Sequence, residues 1–262
     1  MALEMDIAAL LSEAELAVRE AGLLFNDREL AGHIHHKNKT DYVTEVDTGI
    51  QELLRRRLAE ILPEARFMGE EQDNSGIDPS RPFWILDPVD GTTNLIHGLR
   101  LSAVSLAYAE GGAVRFGVVY DPFRGECYSA CEGRGASLNG ELISVSSALE
   151  LSDALAAAGT VPGYKHMADE AFRQMRLLYD SCQDVRRSGC ASLDLCHVAA
   201  GRLDAYAELM LQPWDYAAGA LIVSEAGGRA TTLTGEPLPL THGSAILASN
   251  GRLHSKLLSL LA

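Results

Sequence analysis

The sequence predicts a layered α/β protein built from two packed subdomains. Ser102–Ala109, Ala113–Asp121 and Glu126–Cys131 read as antiparallel strands joined by the short turns Glu110-Gly111-Gly112 and Pro122-Phe123-Arg124-Gly125, a meander that implies a large sheet. After about residue 150 the rhythm changes to short strands alternating with helices, the pattern of an α/β unit. No repeat, low-complexity tract or long linker separates the halves, so residues 1–150 and 151–262 are expected to form two subdomains of one rigid body.

The elements follow in order. Residues 3–31 place Leu10, Ala14, Ala17, Val18, Ala21, Leu24 and Phe25 at helical spacing, which predicts a long amphipathic helix with an interruption near Gly22. His33-Ile34-His35-His36-Lys37 reads as an exposed polar strand or turn rather than a metal site, because no carboxylate or cysteine accompanies the alternating histidines. Asp47–Leu62 is a helix with Ile50, Leu53, Leu54, Leu58 and Ile61 inward, stopped by Pro63. Arg66-Phe67-Met68 is a strand delivering Gly69-Glu70-Glu71, and the Gly- and Pro-punctuated segment 72–82 is a loop. In the second half, Leu155–Gly159, Asp184–Arg187 and Asp204–Glu208 read as strands, and Met167–Tyr179, Ala191–Ala200 and Tyr216–Gly227 as helices.

Composition narrows the function. The 262 residues are 47% hydrophobic with a mean hydropathy of +0.01, enough to bury one or two cores. No apolar run reaches the roughly 20 residues that cross a bilayer, and the acidic residues spread through Met1–Leu24 argue against a signal peptide. A net charge of −14, from 36 acidic and 22 basic residues, disfavours nucleic acid or an anionic membrane as the main partner. A phosphorylated substrate would be repelled too, unless cations reverse the sign locally. Five cysteines without a CxxC pair fit reduced thiols in a cytoplasm, and Cys127 with Cys131 makes only a weak zinc pattern.

The chemistry concentrates in Asp87-Pro88-Val89-Asp90-Gly91-Thr92-Thr93-Asn94. The apolar Phe83-Trp84-Ile85-Leu86 reads as a buried strand, and Pro88 cannot continue a sheet's donor pattern, so the chain turns and Asp87 and Asp90 can converge. Gly91 permits close backbone approach, and Thr92-Thr93-Asn94 reads as the cap of a short helix whose free amides would face an anion. An ordinary acidic turn with a helix cap is the alternative for this stretch alone. Further acidic groups sit at element junctions: Asp41 and Asp47, Glu70 and Glu71, and Asp215, where Asp47 and Asp215 also read as helix N-caps. Gathered in one cleft they would repel one another, so a shared site requires cations, and an all-oxygen set points to magnesium.

Gly69-Glu70-Glu71, the run Trp84–Asn94, Trp214-Asp215-Tyr216-Ala217-Ala218-Gly219 and Glu225-Ala226-Gly227-Gly228 together resemble the inositol monophosphatase family, in the same order and at similar spacing. Asp41-Tyr42-Val43-Thr44-Glu45-Val46-Asp47 adds a further match, and the resemblance runs from about residue 5 to 260. It implies a five-layer αβαβα sandwich and a cytoplasmic phosphoric monoester hydrolase, magnesium-dependent and lithium-sensitive, commonly a homodimer. Two to three Mg2+ ions are implied: Glu70, Asp87 and the Val89 carbonyl for the first, Asp87, Asp90 and Asp215 for the second, and Glu70 again at a weaker third. Asp47 and Thr92 would orient and help deprotonate the attacking water, with Glu70 also counted in the catalytic set. The amides of Gly91 and Thr92 would bind phosphate oxygens, and Lys37, or the nearby Lys39, would approach the phosphate. Gly189, Cys190 and Ala191 would contact the sugar ring, while Glu208 and Asp90 accept hydrogen bonds from its hydroxyls.

The implied substrate is a small phosphorylated polyol, myo-inositol 1-phosphate first. Histidinol phosphate, fructose 1,6-bisphosphate and phosphoadenosine phosphate are alternatives on the same metal framework. Cys190 stands where many members of the family carry threonine, which leaves substrate preference less determined than reaction type. A bisphosphate would call on a basic cluster such as Lys165, His166, Arg186 and Arg187. Cys190 as a covalent nucleophile is disfavoured, since the Cys-x5-Arg loop of cysteine phosphatases is absent. A reading from another class is a non-catalytic regulatory binding protein on the same scaffold. Phe116, Val118 and Tyr120 are open to either core or interface.

Overall fold

The computed structural model describes residues 6–26, 30, 34–36, 42–70 and 72–262. His33, Lys37, Lys39, Asp41 and Glu71 lie outside the described residues.

The first layer is a helix pair, α1 (Ile7–Ala21) and α2 (Glu45–Ile61). The expected interruption falls at Gly22, where a short 3-10 turn, Gly22–Asn26, follows α1. A Cβ at Gly22 would lie 2.6 Å from the Tyr120 ring, so chain and sheet meet there without room for a side chain. Ile34–His36 (β1) and Tyr42–Thr44 (β2) pair as an antiparallel ribbon.

The second layer is a seven-stranded sheet in the order β3-β4-β5-β6-β7-β8-β9. Its strands are Arg66–Gly69, Phe83–Asp90, Ala103–Glu110, Ala113–Asp121, Glu126–Cys131, Ala136–Leu138 and Glu141–Ile143. The β3–β4 pair is parallel and the rest antiparallel. Every residue of β4 is buried, as expected of a strand covered on both faces. Successive side chains alternate between two cores. Trp84 and Leu86 join Val104, Leu106, Phe116 and Val118 beneath α1 and α2. Phe83 and Ile85 join Ala107, Val119 and Tyr128 on the other side. Phe116 and Val118 are therefore core residues, both fully buried, and neither is available to an interface. Cys127 and Cys131 are free and buried in the same core.

Between the sheets lie α3 (Thr92–Ile96) at the end of β4 and two longer helices, introduced here in chain order after α4 (Ala168–Ser181) as α5 (Ala191–Ala199) and α6 (Pro213–Glu225). A Cβ on Gly117 of β6 would fall 2.7 Å from the Ala218 Cα of α6, and one on Gly219 would fall 2.7 Å from the Leu195 side chain of α5. Glycine thus brings sheet and both helices to backbone distance.

The fourth layer is a five-stranded sheet in the order β11-β10-β12-β14-β13. It comprises Leu155–Ala158 (β10), Asp184–Arg186 (β11), Ala205–Leu211 (β12), Arg229–Thr231 (β13) and Ser244–Ser249 (β14). Its inner face sends Ala157, Tyr206, Ile246 and Ala248 into the core shared with α5 and α6. Its outer face packs Ala156, Ala205 and Leu247 against Leu178 of α4 and Leu257 and Leu261 of α7 (His254–Leu261). The layers run αβαβα, the architecture the motifs implied. Among the described residues no helix is long and apolar enough to cross a membrane.

Candidate active site

The site begins at a bulge in β4. Asp87 pairs with Ser105 and Asp90 with Ala103, so β4 has one more residue than β5 between these points. Regular alternation would send residues three apart to opposite faces; the extra residue turns both carboxylates toward the inner helices. Pro88, lacking an N–H, sits inside the irregularity. Ser105 Oγ donates to the Trp214 carbonyl at 3.0 Å and fixes α6 over the same spot. Gly91 then turns the chain with φ 87°, and a Cβ there would lie 2.8 Å from the Leu101 carbonyl oxygen. Conformation and space both demand glycine.

Asp47 and Asp215 arrive from two helix starts by one device. Sequence reading made each an N-cap; the structure places both at the third helical position, within the first turn. Thr44 caps α2, and its N–H and hydroxyl donate to Asp47 Oδ2 at 2.8 and 2.6 Å. In α6 the N–H of the N-cap residue, Gln212, donates to Asp215 Oδ2 at 2.7 Å, with Pro213 opening the helix. Reciprocal capping explains why both helices start earlier than the apolar periodicity suggested. One oxygen of each carboxylate is held by its own helix, which fixes the direction of the other. Thr92 Oγ1 donates to the Val89 carbonyl at 3.0 Å and approaches Asp47 Oδ1 at 3.4 Å, a distance long for a hydroxyl hydrogen bond.

These elements assemble an unusual electrostatic environment. Glu70 follows the end of β3, alongside β4. Burial pushes the Asp87 carboxyl well above its ordinary range, and the charges of Glu70, Asp90, Asp215 and Asp47 push it further. Asp215 is raised by burial first and then chiefly by Asp90. Asp90 is raised by burial too, against hydrogen bonds from Ser192 and Cys190 that favour its ionised form. Among the described residues no Lys, Arg or His forms an ion pair with Asp87, Asp90 or Asp215. Buried like charges without a cation are costly, and an oxygen-only donor set fits a hard divalent ion. No three described His, Cys, Asp or Glu side chains already stand as a closed ligand set, so the carboxylates are coupled through space but not drawn onto one point.

The expected substrate side looks different from the expectation. Cys190 is the N-cap of α5 and is buried; its thiol donates to Asp90 Oδ2 at 3.2 Å. Burial and Asp90 raise the thiol well above its ordinary range, so it is a neutral donor and no nucleophile. Gly189, with φ 87°, holds the turn before it, and Arg187 and Asn94 crowd its Cα. The Cys190 N–H is taken by Ser188 Oγ at 3.1 Å. Glu208 is buried; its Oε1 accepts from the Val161 N–H at 3.0 Å and its Oε2 from the Tyr206 hydroxyl at 2.5 Å.

Sequence reasoning gave no such role to three participants. Ser192 donates to Asp90 Oδ2 through both N–H and Oγ at 2.6 Å each. Asp194 accepts from Ser188 Oγ at 2.6 Å and is pushed up to about 7, mainly by burial. Asn94 ties the two halves by donating to the Leu101 and Ser188 carbonyls. The Asp at the second position of Leu193-Asp194-Leu195 was the one available signal, a charge inside an apolar run.

Comparison with known proteins agrees with this framework. Residues 6–262 match the inositol monophosphatase family. A Pseudomonas aeruginosa protein named Nus factor SuhB is 40% identical over 259 residues, covering 95% of this chain and 94% of its own. The inositol monophosphatase from Anabaena superimposes with a TM-score of 0.88 at 32% identity, covering 98% and 96% of the two chains. The Staphylococcus aureus SaIMPase-II with inositol monophosphate bound gives 0.82 at 28% identity, covering 96% and 92%. With residues 6–262 matched by the family and its five layers reproduced in solved members, the chain belongs to the inositol monophosphatase family.

Proposed function

We propose that the protein is a magnesium-dependent phosphatase that hydrolyses a phosphate monoester, with myo-inositol 1-phosphate as substrate. The observation that carries this is the group of buried carboxylates Asp87, Asp90 and Asp215, which pair with no cation among the described residues and feel the further charges of Glu70 and Asp47. Glu70, Asp87, Asp90, Asp215 and the Val89 carbonyl would hold the ions. When bound, magnesium supplies charge neutralisation and a readily deprotonated water.

The protein's own groups do the rest. Asp47, anchored through Oδ2 by Thr44, directs Oδ1 at the Thr92 hydroxyl, and the pair accepts and orients the proton of the attacking water. The amides of Gly91 and Thr92 at the start of α3 receive phosphate oxygens. Asp90 and Glu208 face the leaving alcohol. Residues 1–150 and 151–262 act as two subdomains, the second contributing Asp215 and the substrate side.

The test is inorganic phosphate release with magnesium across inositol 1-phosphate, histidinol phosphate, fructose 1,6-bisphosphate and phosphoadenosine phosphate. Inositol phosphate is expected to lead in kcat/KM, and millimolar lithium to lower turnover at subsaturating magnesium. Another leading ester would overturn the substrate assignment alone; silence across the panel would overturn the enzyme. Asp87→Asn is the preferred control, since Asp87 accepts one described backbone bond, from the Val89 N–H at 3.0 Å. A second reading, a regulatory binding role on this scaffold, is favoured by the Nus factor name of a relative 40% identical to this chain. Partner binding retained by the inactive Asp87→Asn protein without magnesium would support it.

A further inference from the structure

The side chain of Asp90 has two duties in this fold, and only one concerns a cation. Helix α5 begins at Ala191, and its N-cap residue Cys190 makes no side-chain capping bond. The cap comes instead from the far side of the sequence. Asp90 Oδ2 accepts from the Ser192 N–H and Oγ, both at 2.6 Å, and from the Cys190 thiol at 3.2 Å. Helix start and carboxylate are 100 and 102 residues apart in sequence, so a strand of the first sheet caps a helix of the second half. Ser192 is fully buried, which leaves its hydroxyl no water to exchange with.

An oxygen that receives this many donors has no lone pair left for a cation. The remaining oxygen, Oδ1, takes no described hydrogen bond and is the one atom Asp90 can offer. We propose that Ser192, assisted by the Cys190 thiol, is a positioning residue: it saturates Asp90 Oδ2, locks the rotamer and makes Asp90 a one-oxygen ligand for the divalent ion. The inference rests on the function proposed above. It also reassigns Cys190, whose thiol serves Asp90 rather than the sugar ring.

The test separates the two levels. Isothermal titration with Mg2+ alone, without substrate, is run on the wild type, Ser192→Ala and Ser192→Thr. The expected result is a Kd about ten- to a hundredfold weaker in Ser192→Ala, recovered by Ser192→Thr, which keeps the hydroxyl. A Kd unchanged in Ser192→Ala while the wild type binds would overturn the positioning role and leave the phosphatase reading intact. No Mg2+ binding by the wild type would overturn the phosphatase reading, and the ligand role of Asp90 with it. A double-mutant cycle of Ser192→Ala with Asp90→Asn, read as Tm in EDTA, checks the clamp without metal. Loss of both partners should cost less than the sum of the single losses by about 2 °C or more; strict additivity would show that the two side chains do not act on each other.

Discussion

Two strands of this protein carry buried carboxylates beside an irregularity in pairing, and they treat the charge in opposite ways. In β4 the register shifts between Asp87 and Asp90; in β12 it shifts between Glu208 and Leu211. Glu208 has a neutral donor for each oxygen, Val161 N–H and Tyr206 hydroxyl, with Arg187 near enough to oppose the effect of burial. Asp87 has one backbone donor and faces four other carboxylates. Glu208 has each oxygen matched by a neutral donor and still keeps an acceptor position for a substrate hydroxyl, whereas Asp87 faces a surplus of like charge with no described cationic partner. Burial of an acid is thus no mark of a metal ligand by itself; uncompensated like charge among the described residues is the sharper sign.

The comparison breaks most visibly at Asp87. Asp87→Asn should lower kcat/KM by about a thousandfold or more, since a lost metal ligand removes several kcal/mol of transition-state stabilisation. Its Tm in EDTA should stay level or rise, because one repelling charge has gone. A marked fall in Tm would mean that Asp87 holds the fold rather than a cation. Glu208→Gln should be milder: KM raised about three- to tenfold with kcat nearly unchanged, as for loss of one substrate hydrogen bond. Equal loss from kcat would move Glu208 into the reacting centre.

The pH dependence sharpens the contrast. Asp87 and Asp215 have folded-state values raised above the unfolded 3.8, and Asp194 is raised to about 7. Raised groups contribute stability fully below their unfolded values and lose it as pH rises through the folded ones. Metal-free protein should therefore lose Tm between about pH 4 and pH 7, and Mg2+ should restore more of it at pH 7.5 than at pH 5. Glu126, lowered to about 2 chiefly by its hydrogen bonds from Arg202, acts in the opposite sense below its unfolded 4.5, and His254, lowered from 6.5 to about 4 by burial, offsets part of the loss between those values. A Tm in EDTA that is flat or rises from pH 5 to 7.5 would contradict the assignment. The smallest effect belongs to Tyr206→Phe, which strips one donor from Glu208 and should cost about 1 kcal/mol, or about 2–4 °C in Tm. No change would show that the hydroxyl is not needed there.

Much of this was legible in the sequence. The meander over β5, β6 and β7 follows from alternating apolar residues and glycine turns, and its strands lie within one residue of the reading. The acidic clusters were visible because carboxylates interrupt apolar runs. The end of the chain was not. Ser244–Ser249, Ser-Ala-Ile-Leu-Ala-Ser, is an inner strand of the five-stranded sheet, yet its small residues carry little strand propensity; tertiary packing overrides the local signal. Helix starts at Glu45 and Pro213 were read late because an aspartate three residues past a cap resembles a cap itself. Ser192 gave no signal at all, since its partner lies 102 residues away and a serine near a helix start has an ordinary local explanation.

The glycine contacts between β6, α6 and α5 have a consequence for where Asp215 stands. Helix α6 carries Asp215 and rests on the sheet at Gly117 with no side chain between, so a side chain at position 117 would lift the helix from the sheet and carry Asp215 with it. The position of this carboxylate is thereby written partly in a glycine on β6, a strand that carries neither Asp87 nor Asp90 nor Asp215.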